Sequence, residues 1–482
     1  MRGNINKQFL NSSLCNGTNS AYNLSTKNLI ALLSLQSIYK EVFKLIKSNL
    51  HLIKNMTAED KQALNSKSNI KLDEIIKNIK SWTYSCEPIY IKKSNLGMFR
   101  HITKLNYLAI PSLKDIILQT SIKLLIEFHC EKKKIFNNQS FGFRSNRSLH
   151  DALNSIKNMK GVTWMIESRI YNFFDNINYN ILINIIKNKL NPDRTLIGIF
   201  NKLFNVGPLI NPYFDIISPI LFNIYLTPLD EFIDKLKESY TISPFPIKIY
   251  YVRFANEWVI GVVGDDHNYK ELIKIKEQIK TFLKDKLKLA LEKNELTHLG
   301  RDNANFLGHH LRLSKPKYHN SPNSYLGPAI LIPFNDLKSK LVEKGFAYDS
   351  GFPKYVGKLL HLSDYDLVKY YDSLLTNILI FYSMTDNCSD LRELLYILEY
   401  SLAHTLAAKH RSSLAKIFKK YGKPIVVNSP QSDGKVKFTK PSKAVYLNNQ
   451  KFNLELEMWK LEYNTNNPIS VVIDLKNNYG KT

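Results

Sequence analysis

The chain has 482 residues, 44% of them hydrophobic, which is enough for about two to four folding units with substantial cores. Its 67 Lys and Arg outnumber its 42 Asp and Glu, for a net charge of +25. That excess favours a polyanionic partner, and nucleic acid is favoured over a membrane because no run of about 18 apolar residues occurs. The four cysteines lack paired spacing, which argues against a zinc site or a disulfide framework and favours a reducing compartment.

The spacing of apolar residues in the first third of the chain predicts helices before and after a segment of short β-strands. Apolar residues recur at helical spacing over 29–52 and 70–82, which predicts an N-terminal helical extension over residues 1–80. Short β-like runs follow over 88–111. A long helix is predicted over 112–130, beginning at a Ser112 cap.

The middle of the chain predicts buried strands separated by helices. The strands are expected over 163–170 and 249–263, and a helix is expected from Leu149. Apolar strands between amphipathic helices predict an α+β domain over residues 81–314. A proline-rich stretch predicts a linker over 315–333. An all-helical domain over 334–425 and a C-terminal tail over 426–482 complete the predicted organisation.

Several segments occur in an order that resembles the maturases and reverse transcriptases encoded within group II introns. The segments that carry the resemblance are 109–119, 140–144, 164–177, 217–226, 250–261, 291–308 and 401–422. The resemblance implies a reverse-transcriptase-like fingers and palm domain followed by a helical thumb and maturase domain, often called domain X. It also implies that the partner is RNA.

The residues at the expected polymerase positions depart from the family pattern. Polymerases of this kind hold two divalent ions with carboxylates, one on the first palm strand and a pair at a hairpin turn. Arg169 stands at the first of these positions, and Asn256 and Glu257 stand at the pair. Loss of polymerase activity is therefore predicted, with no catalytic residue, no enzyme activity and no metal or other cofactor bound by the protein. Magnesium is expected with the RNA.

Basic residues in two segments are candidate RNA contacts. Arg144 and Arg147 lie in a loop that the family places near the template path. A continuous helix is predicted over 401–422, with Lys409, Lys416 and Lys420 in one stripe beside an apolar face. Such a stripe suits an RNA recognised by its shape. The alternative for both segments is simple solvation. The basic residues of the helical segment that are predicted to bind RNA are Lys409, Arg411, Lys416, Lys419 and Lys420.

The predicted function is that of a splicing factor that binds intron RNA, including that of its host intron, and stabilises its folded form. Two alternatives are an active reverse transcriptase for intron mobility and a general organellar RNA-binding protein. The composition is rich in Lys, Asn and Ile, as expected of an AT-rich coding sequence, and favours an organelle. A plastid is favoured by analogy with plastid maturases that lack a nuclease module, and a mitochondrion is the alternative. The intron served and the oligomeric state are left open.

Overall fold

A computed structural model describes residues 24–34, 70–81, 83–85, 89–92, 107–110, 112–145, 147–205, 216–242, 246–314, 327–428 and 435–437. The chain divides into two compact units, each described by itself. Unit 1 takes its described residues from the chain up to 148 and from 166–296. Unit 2 takes them from 149–165 and from 297 onwards.

Several helices of unit 1 pack against one long, mostly buried helix. That helix, Leu113–Lys132, begins where the Ser112 side chain accepts a hydrogen bond from the Asp115 amide, as the predicted cap requires. Most of its residues are buried, which is typical of a helix packed on several sides. The helices of this unit are α1 (Thr26–Ser34), α2 (Ile70–Lys80), α3 (Leu113–Lys132), α5 (Tyr179–Leu190), α6 (Arg194–Asn205), α7 (Ser218–Tyr225), α8 (Thr227–Ile242) and α9 (Tyr269–Phe282); α4 (Leu149–Lys157) belongs to unit 2.

A four-stranded sheet provides the framework for the candidate site. Its strands are β3 (Trp164–Ile170), β4 (Lys248–Phe254), β5 (Glu257–Val263) and β6 (Leu291–His298), in the spatial order β4, β5, β3, β6. Strands β4 and β5 pair antiparallel as a hairpin. Most of β3 and β5 is buried; β5 is a nearly continuous run of apolar residues, whereas β3 carries Glu167, Ser168 and Arg169 between apolar residues. A separate antiparallel pair joins β1 (Ile89–Lys92) to β2 (Tyr107–Ile110).

Unit 2 combines a small sheet with a group of helices. The antiparallel sheet holds β7 (Ala304–Phe306), β8 (His309–Arg312) and β9 (Ala329–Leu331). Strands β10 (Val426–Asn428) and β11 (Lys435–Lys437) form another antiparallel pair. The helices after the sheet are α10 (Phe334–Glu343), α11 (Asp364–Phe381), α12 (Leu391–Lys409) and α13 (Leu414–Tyr421). Short 3₁₀ or π segments lie in unit 1 at Phe173–Asn176, Asp266–Asn268 and Leu283–Leu287, and in unit 2 at Gly357–Leu359 and Cys388–Asp390.

The predicted α+β class is confirmed: a region of mixed helices and strands is followed by a mostly helical region. One element prediction is wrong, because the continuous helix over 401–422 is two helices. The chain leaves α12 at Lys409, passes through Arg411 at φ 46°, and starts α13 at a Ser413 cap. Among the predicted segments, residues 35–52, 315–326 and 438–482 lie outside the described residues. The domain boundaries stay predictions.

Candidate functional site

The β4–β5 hairpin turns through Ala255 and Asn256, with Phe254 paired to Glu257. Ala255 adopts φ 54°, a left-handed conformation that tightens the turn. The Asn256 carbonyl accepts a hydrogen bond of 3.1 Å from the amide of Ile170, at the end of β3. This bond fixes the turn against β3, so the three positions singled out from the sequence come together.

At this place Arg169 and Glu257 form an ion pair. The Arg169 Nη2 lies 3.0 Å from the Glu257 Oε2, and the side chains are 29% and 13% exposed. The side-chain nitrogen of Asn256, Nδ2, lies 3.5 Å from the carbonyl oxygen of Ile170, at the outer limit of a hydrogen bond. A guanidinium thus faces the hairpin carboxylate, and this donor set does not fit a two-metal site. Within the described ranges, no group of three or more His, Cys, Asp or Glu side chains is arranged to hold a metal ion.

A second ion pair crosses from β3 to β6 beside the first. The Glu167 carboxylate, only 1% exposed, binds the ammonium of Lys293, which also contacts Glu295. Burial alone would lower the pKa of Lys293, but the two carboxylates outweigh burial and raise it. The strand therefore carries opposite charges at Glu167 and Arg169, each with a partner on a neighbouring strand.

A buried polar network that was not predicted from the sequence joins the hairpin to α8. Arg253 is fully buried, and its Nε and Nη2 lie 2.8 and 2.7 Å from the two carboxylate oxygens of Asp230 on α8. Its Nη1 donates to the Asn223 side chain and to the Ala255 carbonyl, at 2.9 Å each. The Tyr251 hydroxyl also donates to Asp230, at 2.7 Å. The signal in the sequence was an arginine among apolar residues near the end of β4.

The network also positions the loop that precedes α4. Backbone bonds of 2.9 Å join the Phe141 amide to the Arg253 carbonyl and the Arg253 amide to the Gln139 carbonyl. The Asn223 amide donates to the Gly142 carbonyl. A Cβ on Gly142 would lie 2.4 Å from the Ala255 nitrogen, closer than real Cβ atoms come. The loop therefore needs glycine where it meets the hairpin turn.

The two loop arginines predicted to contact RNA differ in their surroundings. Arg144 is 4% exposed; its guanidinium makes a bidentate pair with Glu131 at 2.8 and 2.9 Å and donates to the carbonyls of Asn137 and Ser140. Its donors are committed within the fold, so Arg144 is a structural residue and is not presented to a phosphate. Arg147 is partly exposed; it donates to the Asn138 carbonyl.

In unit 2, Asp364 at the start of α11 gathers three donors. The Lys409 Nζ lies 2.8 Å from Oδ1, and the His410 Nε2 and the Tyr421 hydroxyl lie 2.9 and 2.5 Å from Oδ2. Burial opposes ionisation of this carboxyl, but the hydrogen bonds from Lys409, Tyr421 and His410 outweigh it and lower the pKa of Asp364 to about 2. The cluster joins the end of α12, the end of α13 and the start of α11.

The break between α12 and α13 divides the predicted basic stripe. Lys409 is half-buried on α12 and also donates to the Leu362 carbonyl, so its ammonium stabilises the fold. Arg411 is exposed in the turn, and Lys416, Lys419 and Lys420 are exposed on α13. The exposed basic surface is therefore shorter than predicted and centres on α13, a helix without an acidic residue.

Comparisons with known proteins match both parts of the chain. A model described as "Reverse transcriptase (RNA-dependent DNA polymerase)" matches residues 91–311, and one described as "Type II intron maturase" matches residues 327–467. The chain is 28% identical over 428 residues to "Group II intron-encoded protein LtrA" of Lactococcus lactis subsp. cremoris, covering 72% of this chain and 69% of LtrA.

Two further relatives are longer than the region they share. An "Uncharacterized 91 kDa protein in cob intron" of Schizosaccharomyces pombe is 28% identical over 447 residues, 76% of this chain and 52% of that protein. An "Uncharacterized mitochondrial protein ymf11" of Marchantia polymorpha is 24% identical over 412 residues, 65% of this chain and 56% of that protein. This chain thus spans little more than half of either relative.

The prediction that the chain is not an enzyme is wrong. The reverse transcriptase model matches the whole region that holds β3, the hairpin and β6, and the similarity to LtrA extends through it. The exchanges at Arg169, Asn256 and Glu257 change the charges of the site, but by themselves they do not make a pseudoenzyme.

In the part of the chain that the structure describes, no helix is long and apolar enough to cross a membrane.

Proposed function

We propose that this chain, which belongs to the family of group II intron-encoded proteins with reverse transcriptase and maturase domains, binds intron RNA and assists its splicing. The host intron is among the RNAs served. The protein supplies positive charge and a complementary surface, and the RNA with its magnesium supplies the chemistry of excision. In this proposal the magnesium belongs to the RNA and the protein binds no cofactor.

The observation that carries the proposal is the basic surface of α13 within the region matched by the intron maturase model. Lys416, Lys419 and Lys420 are all exposed there, and the helix has no carboxylate to neutralise them. Lysines on one short helix contact phosphates without reading bases, which suits an RNA recognised by its fold. The net charge of +25 supports the same partner.

The Asp364 cluster stabilises the position of α13. It ties the end of α12 to α11 through Lys409 and His410, and the end of α13 to α11 through Tyr421. The Ser413 cap fixes the start of α13 and the bond from Tyr421 to the Asp364 carboxylate fixes its end, so the lysines between them keep a fixed arrangement. Fixed charges favour one folded RNA over another, whereas mobile charges bind any polyanion.

The test is binding of the purified chain to candidate group II intron RNAs over a series of salt concentrations, with an unrelated folded RNA of equal length as competitor. The proposal predicts tight binding to one intron that survives competition, with a modest dependence on salt. Equal binding to both RNAs with a steep salt dependence contradicts it and supports a general RNA-binding protein.

RNA-dependent DNA synthesis is the second candidate function, favoured by the reverse transcriptase match over residues 91–311. Primer extension on a matched RNA template tests it. Extension that depends on the protein supports this candidate, and its absence across divalent metals and templates contradicts it. Splicing assistance is measured separately, as the rate of intron excision with and without the chain.

An organelle is the proposed location. The relative from Marchantia polymorpha is described as mitochondrial, and the coding bias agrees. The preference for a plastid over a mitochondrion stays a prediction. Fractionation followed by immunodetection separates the two.

A further inference from the structure

An aromatic surface runs along one face of α12 toward α13. Tyr396 and Tyr400 lie one helical turn apart, with ring centroids separated by 4.5 Å. The Tyr400 ring lies 5.6 Å from the Phe418 ring of α13 in an edge-to-face arrangement. Tyr396 is 46% exposed, whereas the other two rings are partly covered. One aromatic ring is therefore open to solvent, and two more support it.

A lysine ammonium sits on this surface. The Lys423 Nζ lies 4.6 Å from the centroid of the Tyr400 ring and 5.2 Å from that of Phe418, and it donates to the Tyr400 hydroxyl at 2.7 Å. These contacts hold the cation on the Tyr400 ring, whose centroid lies 4.5 Å from that of Tyr396. We call the four residues Tyr396, Tyr400, Phe418 and Lys423 the Tyr396 platform.

The chemistry of the platform suits a base that is both aromatic and attached to a phosphate. Aromatic side chains stack on unpaired bases, and a neighbouring cation contacts the backbone phosphate. A paired A-form helix hides the faces of its bases inside the stack, so a duplex cannot use the open ring of Tyr396. The exposed lysines of α13 lie on the same helix as Phe418 and add positive charge to this part of unit 2, which favours a nucleic acid over an apolar protein surface.

We propose that the Tyr396 platform stacks an unpaired nucleobase of the bound RNA, with Lys423 contacting the adjacent phosphate. This inference rests on the proposed RNA binding and adds that the domain recognises a single-stranded loop or bulge. The lysines of α13 supply affinity for any phosphate backbone. The platform supplies the preference for unpaired bases.

The test compares hairpin RNAs that carry the same charge. One has an oligoadenosine loop, the second has the same loop with its bases removed, and a fully paired RNA of equal length serves as reference. Each is titrated with the wild-type chain, with Tyr396→Leu and with Tyr396→Phe. Tyr269→Leu is the matched control, because Tyr269 is 49% exposed in unit 1.

The proposal predicts that Tyr396→Leu weakens binding of the adenosine loop about tenfold, the range measured when stacking on one aromatic residue is lost. Tyr396→Phe retains the ring and binds within about twofold of wild type. Removing the loop bases weakens binding of the wild-type chain by about the same factor. For the base-free loop, Tyr396→Leu and the wild-type chain have the same affinity. Tyr269→Leu binds all three RNAs as the wild type does.

Two outcomes overturn the platform and leave RNA binding intact. In one, Tyr396→Leu binds the adenosine loop as tightly as the wild type. In the other, it loses the same affinity for the loop, the base-free loop and the duplex, which would mean that Tyr396 only supports the fold. Failure of the wild-type chain to bind the adenosine loop more tightly than the base-free loop and the duplex also overturns the platform, whereas the proposed function is overturned only by the binding test with intron RNA.

Discussion

Replacing Asp230 by asparagine removes the negative charge that faces Arg253 inside unit 1. The carboxylate accepts two bonds from the guanidinium, at 2.8 and 2.7 Å, and one from Tyr251, at 2.7 Å. Asparagine keeps one acceptor oxygen but turns an NH₂ donor toward the remaining donors. Because Arg253 and Asp230 are 0% and 3% exposed, water cannot replace the lost partner. Breaking a buried pair of this kind costs about 3–5 kcal/mol.

The free energy of unfolding is measured by urea titration followed by tryptophan fluorescence. Trp258 is buried opposite Arg253 on the hairpin, so it contributes to the signal. The matched control is Glu238→Gln, an exposed residue of the same helix with the same change in charge, expected within about 0.5 kcal/mol of wild type. A loss below about 1 kcal/mol for Asp230→Asn, or equal losses for both variants, would refute the structural role of the pair.

Three further variants test other contacts. A Cβ on Gly142 meets the hairpin backbone at 2.4 Å, so Gly142→Ala should lower the thermal midpoint by several degrees, whereas Gly357→Ala, with its nearest neighbour at 3.7 Å, should not. Asp364→Asn should destabilise the chain by about 1–2 kcal/mol at neutral pH, a value reduced for solvent screening. Because folding lowers the pKa of Asp364 from 3.8 to about 2, the ionised carboxylate contributes its full stabilisation above pH 3.8 and loses it as the pH falls toward 2. A constant difference in unfolding free energy between the wild type and Asp364→Asn from pH 5 to 2 would contradict this. Ser413→Ala should cost about 1 kcal/mol in urea titrations because its side chain caps α13, and equal stability of Ser413→Ala and Ser412→Ala would count against the cap.

Local signals in the sequence predicted the elements that position the site. The apolar run over 249–263 predicted buried β structure, and the structure shows it as the hairpin of β4 and β5. The Ser112 cap predicted the start of α3. Both depend on residues close together in the chain, so no tertiary information was needed.

The charges of the site depend on contacts that the sequence does not display. Arg253 and Asp230 are 23 residues apart, and only the packing of α8 against the hairpin brings them together. From the sequence, Arg144 is predicted to be an exposed loop residue. In the structure it is bound by Glu131, 13 residues earlier in the chain. Long-range partners of this kind decide whether an arginine is available for RNA.

The break between α12 and α13 shows two local signals in competition. Helical spacing of apolar residues extends across 401–422 and predicts one helix, but the Ser413 side chain accepts from the Lys416 amide and starts a second helix. Arg411 takes a left-handed conformation at the junction. Periodicity continues over a short turn, so capping residues have to be weighed against it.

The most direct test of the central claim replaces Lys416, Lys419 and Lys420 together by glutamine and measures binding to the preferred intron RNA over a salt series. The account predicts at least a tenfold loss of affinity and a salt slope reduced by about two, since three phosphate contacts disappear. The control is the same exchange at Lys284, Lys286 and Lys288, exposed residues of unit 1 that remove an equal charge, and it should lose much less. Equal losses from the two triple variants would mean that net charge alone binds the RNA and would contradict recognition by α13.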